Sequence, residues 1–248
     1  MKLATLILLE GYKQKKGWLW LFLLVIHTGT TLAMFLDFTI RYDYLLDTAN
    51  PEYGSWDILL IENHSVLGWG MFLPMFIGII YSLIYQVEES QNNWKQILSL
   101  PICRESVYFS KFLAGFLCCA VLILLNIFGL ILVGYMIDFP EPVDWSSYLL
   151  YAGKQIVMIL AVTSLHNWLS SYFKNAMIPI ALGFAGVILS GIVIFQYPEV
   201  GKFFPYTYPF FADGLVYKEL TDILPFNVVL MLLFLCFGMW QFKRKDIL

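Results

Sequence analysis

Six stretches of about twenty mostly apolar residues set the terms for this chain, near 18–38, 65–86, 112–136, 148–168, 176–196 and 224–242. A helix of that length matches the hydrocarbon thickness of a bilayer. Lipid offers the backbone no hydrogen-bond partner, so each run has to satisfy its own N–H and C=O groups and is expected to be α-helical. The expected fold is an all-α integral membrane protein, one transmembrane domain over residues 1–248 with about six transmembrane helices. Charged residues make up 13% of the chain, against about 25% in soluble domains, which points to lipid as the solvent.

Basic residues near the helix ends orient such a chain. With the N-terminus inside, one face collects Lys2, Lys13, Lys15, Lys16, Lys95, Arg104, Lys111, Lys174, Lys243, Arg244 and Lys245, and the other keeps only Arg41, Lys202 and Lys218. Both termini are therefore expected to be cytoplasmic. The opening MKLATLILLEGYKQKKG has a signal-like start but no small-x-small cleavage site, and reads as an interfacial helix. Two outer connections, near 39–64 and 197–223, are longer than turns. The second (YPEVGKFFPYTYPFF) suits either a re-entrant segment or a loop anchored among headgroups.

Several function classes fall away. A net charge of −3 excludes a general nucleic-acid binder, which needs a basic face. Cys103, Cys118, Cys119 and Cys236 lack C-x-x-C spacing and read as small buried hydrophobes. His64 and His166 are expected at opposite membrane faces and His27 inside the first span as a packing residue, so they form no common metal site. No H-E-x-x-H, G-x-S-x-G or G-x-x-x-x-G-K-[ST] occurs, so no catalytic residues are assigned and ATP hydrolysis is not expected within the chain.

Few residues inside the spans could carry function. Asp37 and Lys154 lie near the outer ends of the first and fourth spans, where each can snorkel to the interface or the two can pair along a pathway. Pro74 and Pro179 fall within spans, where they would bend a helix. Ala181, Ala185 and the Gly186/Ser190 pair have small-x-x-x-small spacing, suited to a dimer face or to packing within the chain.

The most informative polar interruption is VEESQNNWKQILSLPICRESVYFSKF, residues 87–112. Trp94, Ile97 and Leu98 share one helical face while Glu88, Glu89, Gln91 and Lys95 are expected to stay wet. Pro101 ends that helix, and a second helix starts near Arg104. A short surface helix joined by an elbow to a span either rests on lipid headgroups or docks a partner protein.

With its N-terminal surface helix, six spans and this short helix between the second and third, the chain resembles the permease subunit of an ABC-2 type exporter. The residues that carry the resemblance are Glu88, Glu89, Trp94 and Lys95, then SLPICRESVYFSKF with Pro101, Arg104, Tyr108 and Lys111, and more weakly the terminal FKRKDIL. Within the family it is most similar to lantibiotic and bacitracin immunity permeases and exporters of amphipathic peptide toxins.

The resemblance implies a multi-pass bacterial plasma-membrane protein whose residues 88–100 form a cytoplasmic coupling helix. Trp94, Ile97 and Leu98 would anchor it on a separate ABC ATPase, with Glu88, Glu89, Lys95 and Arg104 setting orientation. It also implies two ATPase copies, a second permease copy or a similar permease, ATP and Mg bound only through the ATPase, and an amphipathic peptide as cargo. Export of a lipid, drug or polysaccharide precursor is the alternative within transport, and a non-transporting scaffold or sensor is the alternative from another class. Twelve acids against three bases on the outer face would attract a cationic peptide, although acids are also free to sit there for topological reasons.

Overall fold

The computed structural model describes residues 3–90, 93–99, 101–213 and 223–244; Gln91, the Leu98 side chain and the end of the FKRKDIL segment lie outside the described residues. The α-helices are α1 (Leu3–Lys13), α2 (Trp18–Thr48), α3 (Ser55–Ile61), α4 (Trp69–Ser90), α5 (Trp94–Ser99), α6 (Arg104–Ile137), α7 (Trp145–Met158), α8 (Leu160–Tyr172), α9 (Met177–Gln196) and α10 (Ile223–Lys243). Five of them, α2, α4, α6, α9 and α10, are long and apolar enough to cross a membrane, and the count reaches six when α7 and α8, bent by 41° to each other, are taken as one span. This is a multi-pass membrane protein. In the bundle α10 packs on α8, α9 on α4, and both α1 and α2 on α6.

Helices α2 and α6 have 31 and 34 residues, about 46 and 51 Å at 1.5 Å per residue. Both exceed a hydrocarbon core of about 30 Å, so their ends project or tilt. The far end of α2 carries Arg41, whose Nη1 donates to Asp37 at 2.8 Å. Asp37 is therefore paired within its own helix, one turn away, where i,i+4 neighbours meet without any tertiary arrangement. The Asp37–Lys154 pair does not form; Lys154, half-buried on α7, has no hydrogen bond or ion pair among the described residues.

The expected loop over 39–64 is largely helical. Residues 39–48 continue α2, and α3 leads into a π-helical turn, Glu62–Val66. Seven residues cannot span a bilayer, so α3 buries Trp56, Ile58, Leu59 and Leu60 inside the bundle instead. The Trp56 indole donates to the Glu141 carbonyl at 2.8 Å, and the Tyr148 hydroxyl donates to the Trp56 carbonyl at 2.9 Å. Gly68, with φ of +78°, turns the chain into α4, a conformation open chiefly to glycine.

Neither proline breaks a span. Pro179 is the third residue of α9, where its missing N–H costs no intrahelical bond, and α4 continues through Pro74. The break comes at Ile159. Asn227 of α10 reaches across it, its Nδ2 donating to the Val157 carbonyl at 2.8 Å and its Oδ1 accepting from the Ala161 amide at 2.9 Å. Backbone groups freed by a break in a membrane helix must be satisfied by a neighbour, and Asn227, fully buried, does this on both sides. Asn227→Leu is expected to cost about 1–3 kcal/mol, the penalty for unpaired buried groups, read as a lower unfolding midpoint in mild detergent; an Asn227→Leu protein as stable as the parent would show the break to be held by packing alone.

The segment from Pro198 enters the bundle through three 3-10 turns, and residues 205–213 are all buried. The Tyr206 ring lies so close to Gly186 that any β-carbon there would strike it. Gly186 is about 15 Å along α9 from its Gln196 end at 1.5 Å per residue, so the described part of the aromatic segment reaches well into the bundle. Its tip meets His166, whose Nε2 lies 3.0 Å from the Tyr206 hydroxyl. His166 is thus in the bundle interior, about 9 Å from the end of α8, and not at a membrane face; the glycines at 78 and 183 leave room for its ring. Gly186 and Ser190 are used for packing inside the chain, while Ala181 and Ala185 face outward.

Candidate functional site

The charged residues that the sequence scatters over 101 positions meet at one end of the bundle. Lys111 of α6 is completely buried, and its Nζ lies 2.7 Å from Glu10 Oε2 on α1 and 2.8 Å from Glu88 Oε2 at the end of α4. Lys13 completes the group, 2.6 Å from Glu10 Oε1 and 2.9 Å from Glu88 Oε1. Two carboxylates and two ammoniums give a balanced quartet in which each acid is shared by both bases. Such pairing is what allows charges to be buried at all. It also clamps α1, α4 and α6 to one another.

Burial pushes the Glu10 carboxyl up, but the Lys111 and Lys13 ammoniums outweigh it and hold the group below its ordinary value. For Lys13, burial works downward and the Glu10 and Glu88 carboxylates carry it above its ordinary value. Glu10 therefore adds stability that is present above its unfolded pKa of about 4.3 and is lost as pH falls through the lower folded value. Lys13 adds stability present below about 10.4 and lost as pH rises through the raised folded value. The docking of α1 is expected to be constant from weakly acidic to weakly alkaline pH and to loosen in acid as pH falls through the lowered folded value of Glu10. A spin label at Leu9→Cys, with Cys103 and Cys236 replaced, would report it as a rise in mobility confined to the acid limb.

Aromatic rings close the quartet over. Lys111 Nζ lies 5.1 Å from the Tyr85 ring centroid and 5.7 Å from that of Trp94, within the range of cation–π attraction. Trp94 opens α5 and points inward, 7% exposed, against Tyr85 and Phe242, with its Nε1 donating to Glu89 Oε1 at 2.9 Å. The expected partner anchor is thus covered by its own chain. Ile97 also packs against the core, half-buried, whereas Lys95, Gln96, Ser99 and Pro101 are exposed.

Two further readings change. Glu88 is 1% exposed rather than wet, because it ends α4 directly beneath Lys111. Residues 88–90 belong to α4, so the short helix is Trp94–Ser99 and not 88–100. Arg104 donates to the Lys243 carbonyl at 2.9 Å, and Glu105 pairs with Lys243 at 2.6 Å, so the start of α6 is tied to the end of α10. Tyr85 donates to Asn167 Oδ1 at 3.0 Å and Trp168 to Gln241 Oε1 at 2.6 Å. Through these contacts α5 is coupled to α1, α4, α6, α8 and α10.

The other polar clusters lie elsewhere in the bundle. His64 is enclosed, with Nε2 2.6 Å from the Phe210 carbonyl and Nδ1 2.9 Å from the Tyr151 hydroxyl. A carbonyl only accepts, so Nε2 carries the proton and Nδ1 accepts. Asn63 and Asn126 exchange amide hydrogen bonds at 3.1 and 3.2 Å. His27 packs beside Phe128, with its Nδ1 unpaired among the described residues. Among the described residues no group of three or more His, Cys, Asp or Glu could hold a metal ion. The cysteines differ from expectation, since Cys119 is buried but Cys103 and Cys236 are exposed.

The family model for ABC-2 family transporter proteins matches residues 6–190. The chain belongs to the ABC-2 transporter family. It is accordingly a permease subunit of an ABC transporter, a family whose membrane components generally work with a separate ATPase subunit. No curated protein matches the chain. All four members of the quartet, Trp94 and the whole of α5 fall within the span shared with the ABC-2 family, whereas Tyr206, Asn227 and Phe242 lie beyond it.

Proposed function

We propose that this ABC-2 permease exports amphipathic or antimicrobial peptides from the bacterial cytoplasm or membrane, in toxin export or self-immunity of the lantibiotic and bacitracin type. In this reading α5 is the coupling helix, both termini are cytoplasmic, and two permeases, identical or similar, stand on two ATPase subunits that alone bind ATP and Mg. The observation that supports it is the wiring of α5. Lys95, Gln96 and Ser99 are free to meet a partner, while Trp94 and Lys111 tie the same short helix to α1, α4, α6 and α10. When ATP draws two ATPase subunits together, a push on α5 would move these helices as one body. Trp94 and Ile97 then act as internal struts of the coupling helix, and the exposed polar face makes the contact.

The cargo class rests on the acid-rich end opposite α5, which includes Asp43, Asp47, Glu52, Asp138, Glu141 and Asp144 and would favour release of a cationic peptide on that side. Co-purification from the native host in mild detergent tests the assembly. A stoichiometric ABC ATPase is expected with the parent protein and is expected to be lost with Lys95→Glu/Gln96→Glu, a surface change that leaves the fold intact. An intact protein that brings down no ATPase would overturn the assembly. Hosts lacking the permease are expected to become sensitive to a cationic amphipathic peptide or to stop secreting one; unchanged phenotypes for both would exclude the cargo class.

A further inference from the structure

Between α1, the start of α2 and the facing sides of α4 and α6 runs an apolar groove of about 390 Å³, floored by Leu19, Ile84 and Ala114 and edged by Leu117 and Cys118. Its volume falls in the range of small-molecule pockets, about 300–1,000 Å³. The side chains at its mouth, Leu8, Trp20, Leu117 and Val121, are exposed, so in a membrane the mouth opens sideways into acyl chains and not into water. A second, polar cleft of about 410 Å³ adjoins it, with Lys13, Gln86 and Ser90 on its walls.

Gln14 belongs to both cavities. It is 3% exposed and its Nε2 has no hydrogen-bond partner among the described residues. A buried amide N–H₂ left unpaired at the junction of an apolar and a polar cavity is a costly arrangement. It is relieved by a ligand carrying an acceptor oxygen where its tail joins its head.

We propose that this groove binds one acyl chain of a phospholipid from the leaflet in which α1 lies, with Gln14 donating to the ester carbonyl and the headgroup resting in the Lys13 cleft. The Lys13 ammonium is already shared between Glu10 and Glu88, so among the described residues lining the cleft there is no free cation to select an anionic headgroup. The chain and its ester, not head charge, determine occupancy. The site stands on the geometry of α1 and owes nothing to the export reading, and its test uses neither ATPase activity nor transport.

The full chain in its native membrane is irradiated with a phospholipid bearing a diazirine near mid-chain, and the crosslinked peptides are identified by mass spectrometry. Labels are expected to concentrate on residues 114–121 of α6 and on the groove side of α1, equally with zwitterionic and anionic headgroups. Leu117→Trp, a rim change at an exposed position, is expected to block the groove. Gln14→Leu should reduce labelling there about fivefold, the factor that one net hydrogen bond supplies. Labelling of the lipid-facing side of α10, at Leu232 and Leu233, serves as the internal standard. Labels spread over α6 and α10 alike, or unchanged by both variants, would show ordinary boundary lipid and overturn the proposal, as would labelling that depends on an anionic headgroup.

Discussion

Lys111→Met is expected to be the most damaging single substitution in this protein, costing about 3–5 kcal/mol, the usual consequence of removing one partner from a buried ion pair. It leaves two buried carboxylates facing the single ammonium of Lys13, in a place where Glu10 and Glu88 are 4% and 1% exposed. The unbalanced charge is best relieved by undocking α1, which alone among the elements of the quartet is not a span. Proteolysis at the α1–α2 junction should therefore rise sharply, and the unfolding midpoint in mild detergent should fall. Adding Glu10→Gln to Lys111→Met restores the charge balance, since Glu88 then pairs with Lys13, and much of the loss should be recovered. Full stability in Lys111→Met alone would mean that water already reaches the quartet. The Lys13 ammonium, about a third exposed, marks the side from which it would come.

Trp94→Ala has the second-largest expected effect, and it separates an internal strut from a partner anchor. A buried aromatic truncated to alanine costs about 3–5 kcal/mol, and here the loss is local. Helix α5 has six residues, far below the length at which a helix persists by itself, so it depends on tertiary contacts, chiefly those of Trp94 with Tyr85 and Phe242. The indole also faces Lys111, a contact of about 0.5–2 kcal/mol depending on desolvation. Trp94→Ala and Phe242→Ala should therefore be non-additive, with a coupling of about 0.5–3 kcal/mol. Lys95→Ala, on the exposed face, should change stability by no more than about 0.5 kcal/mol while weakening the ATPase contact proposed for α5. The reverse pattern, with Trp94→Ala harmless to the isolated permease, would put the indole at the partner surface.

These two expectations mark the boundary between what was legible in the residues and what was not. A short helix ending before Pro101 could be read because its causes are local: an i, i+3, i+4 apolar face and a proline that cannot continue a helix. Periodicity says only that a face seeks cover, and Phe242, from the last helix, supplies part of the cover of Trp94. The same limit applies to Glu88, whose spacing on a helix looks wet and whose partners lie at positions 13 and 111. The aromatic stretch after Tyr197 announced that it would avoid water, and only the close approach of Tyr206 to Gly186 shows that its described part finds cover inside the bundle.

What the sequence alone determined is the solvent and, with it, the fold class. Apolar runs of about twenty residues in a medium without hydrogen-bond partners permit helices and little else, so the five to six long apolar helices and their approximate limits followed from composition along the chain. What only the tertiary structure decided is where the polar groups inside that bundle find one another: Lys111 with Glu10 and Glu88, Asn227 across the break at Ile159, and His166 with Tyr206. Each of these joins residues from separate elements. Charge and hydrogen-bond pairing depend on distance in space, and a local pattern carries no record of which distant segment will stand beside it.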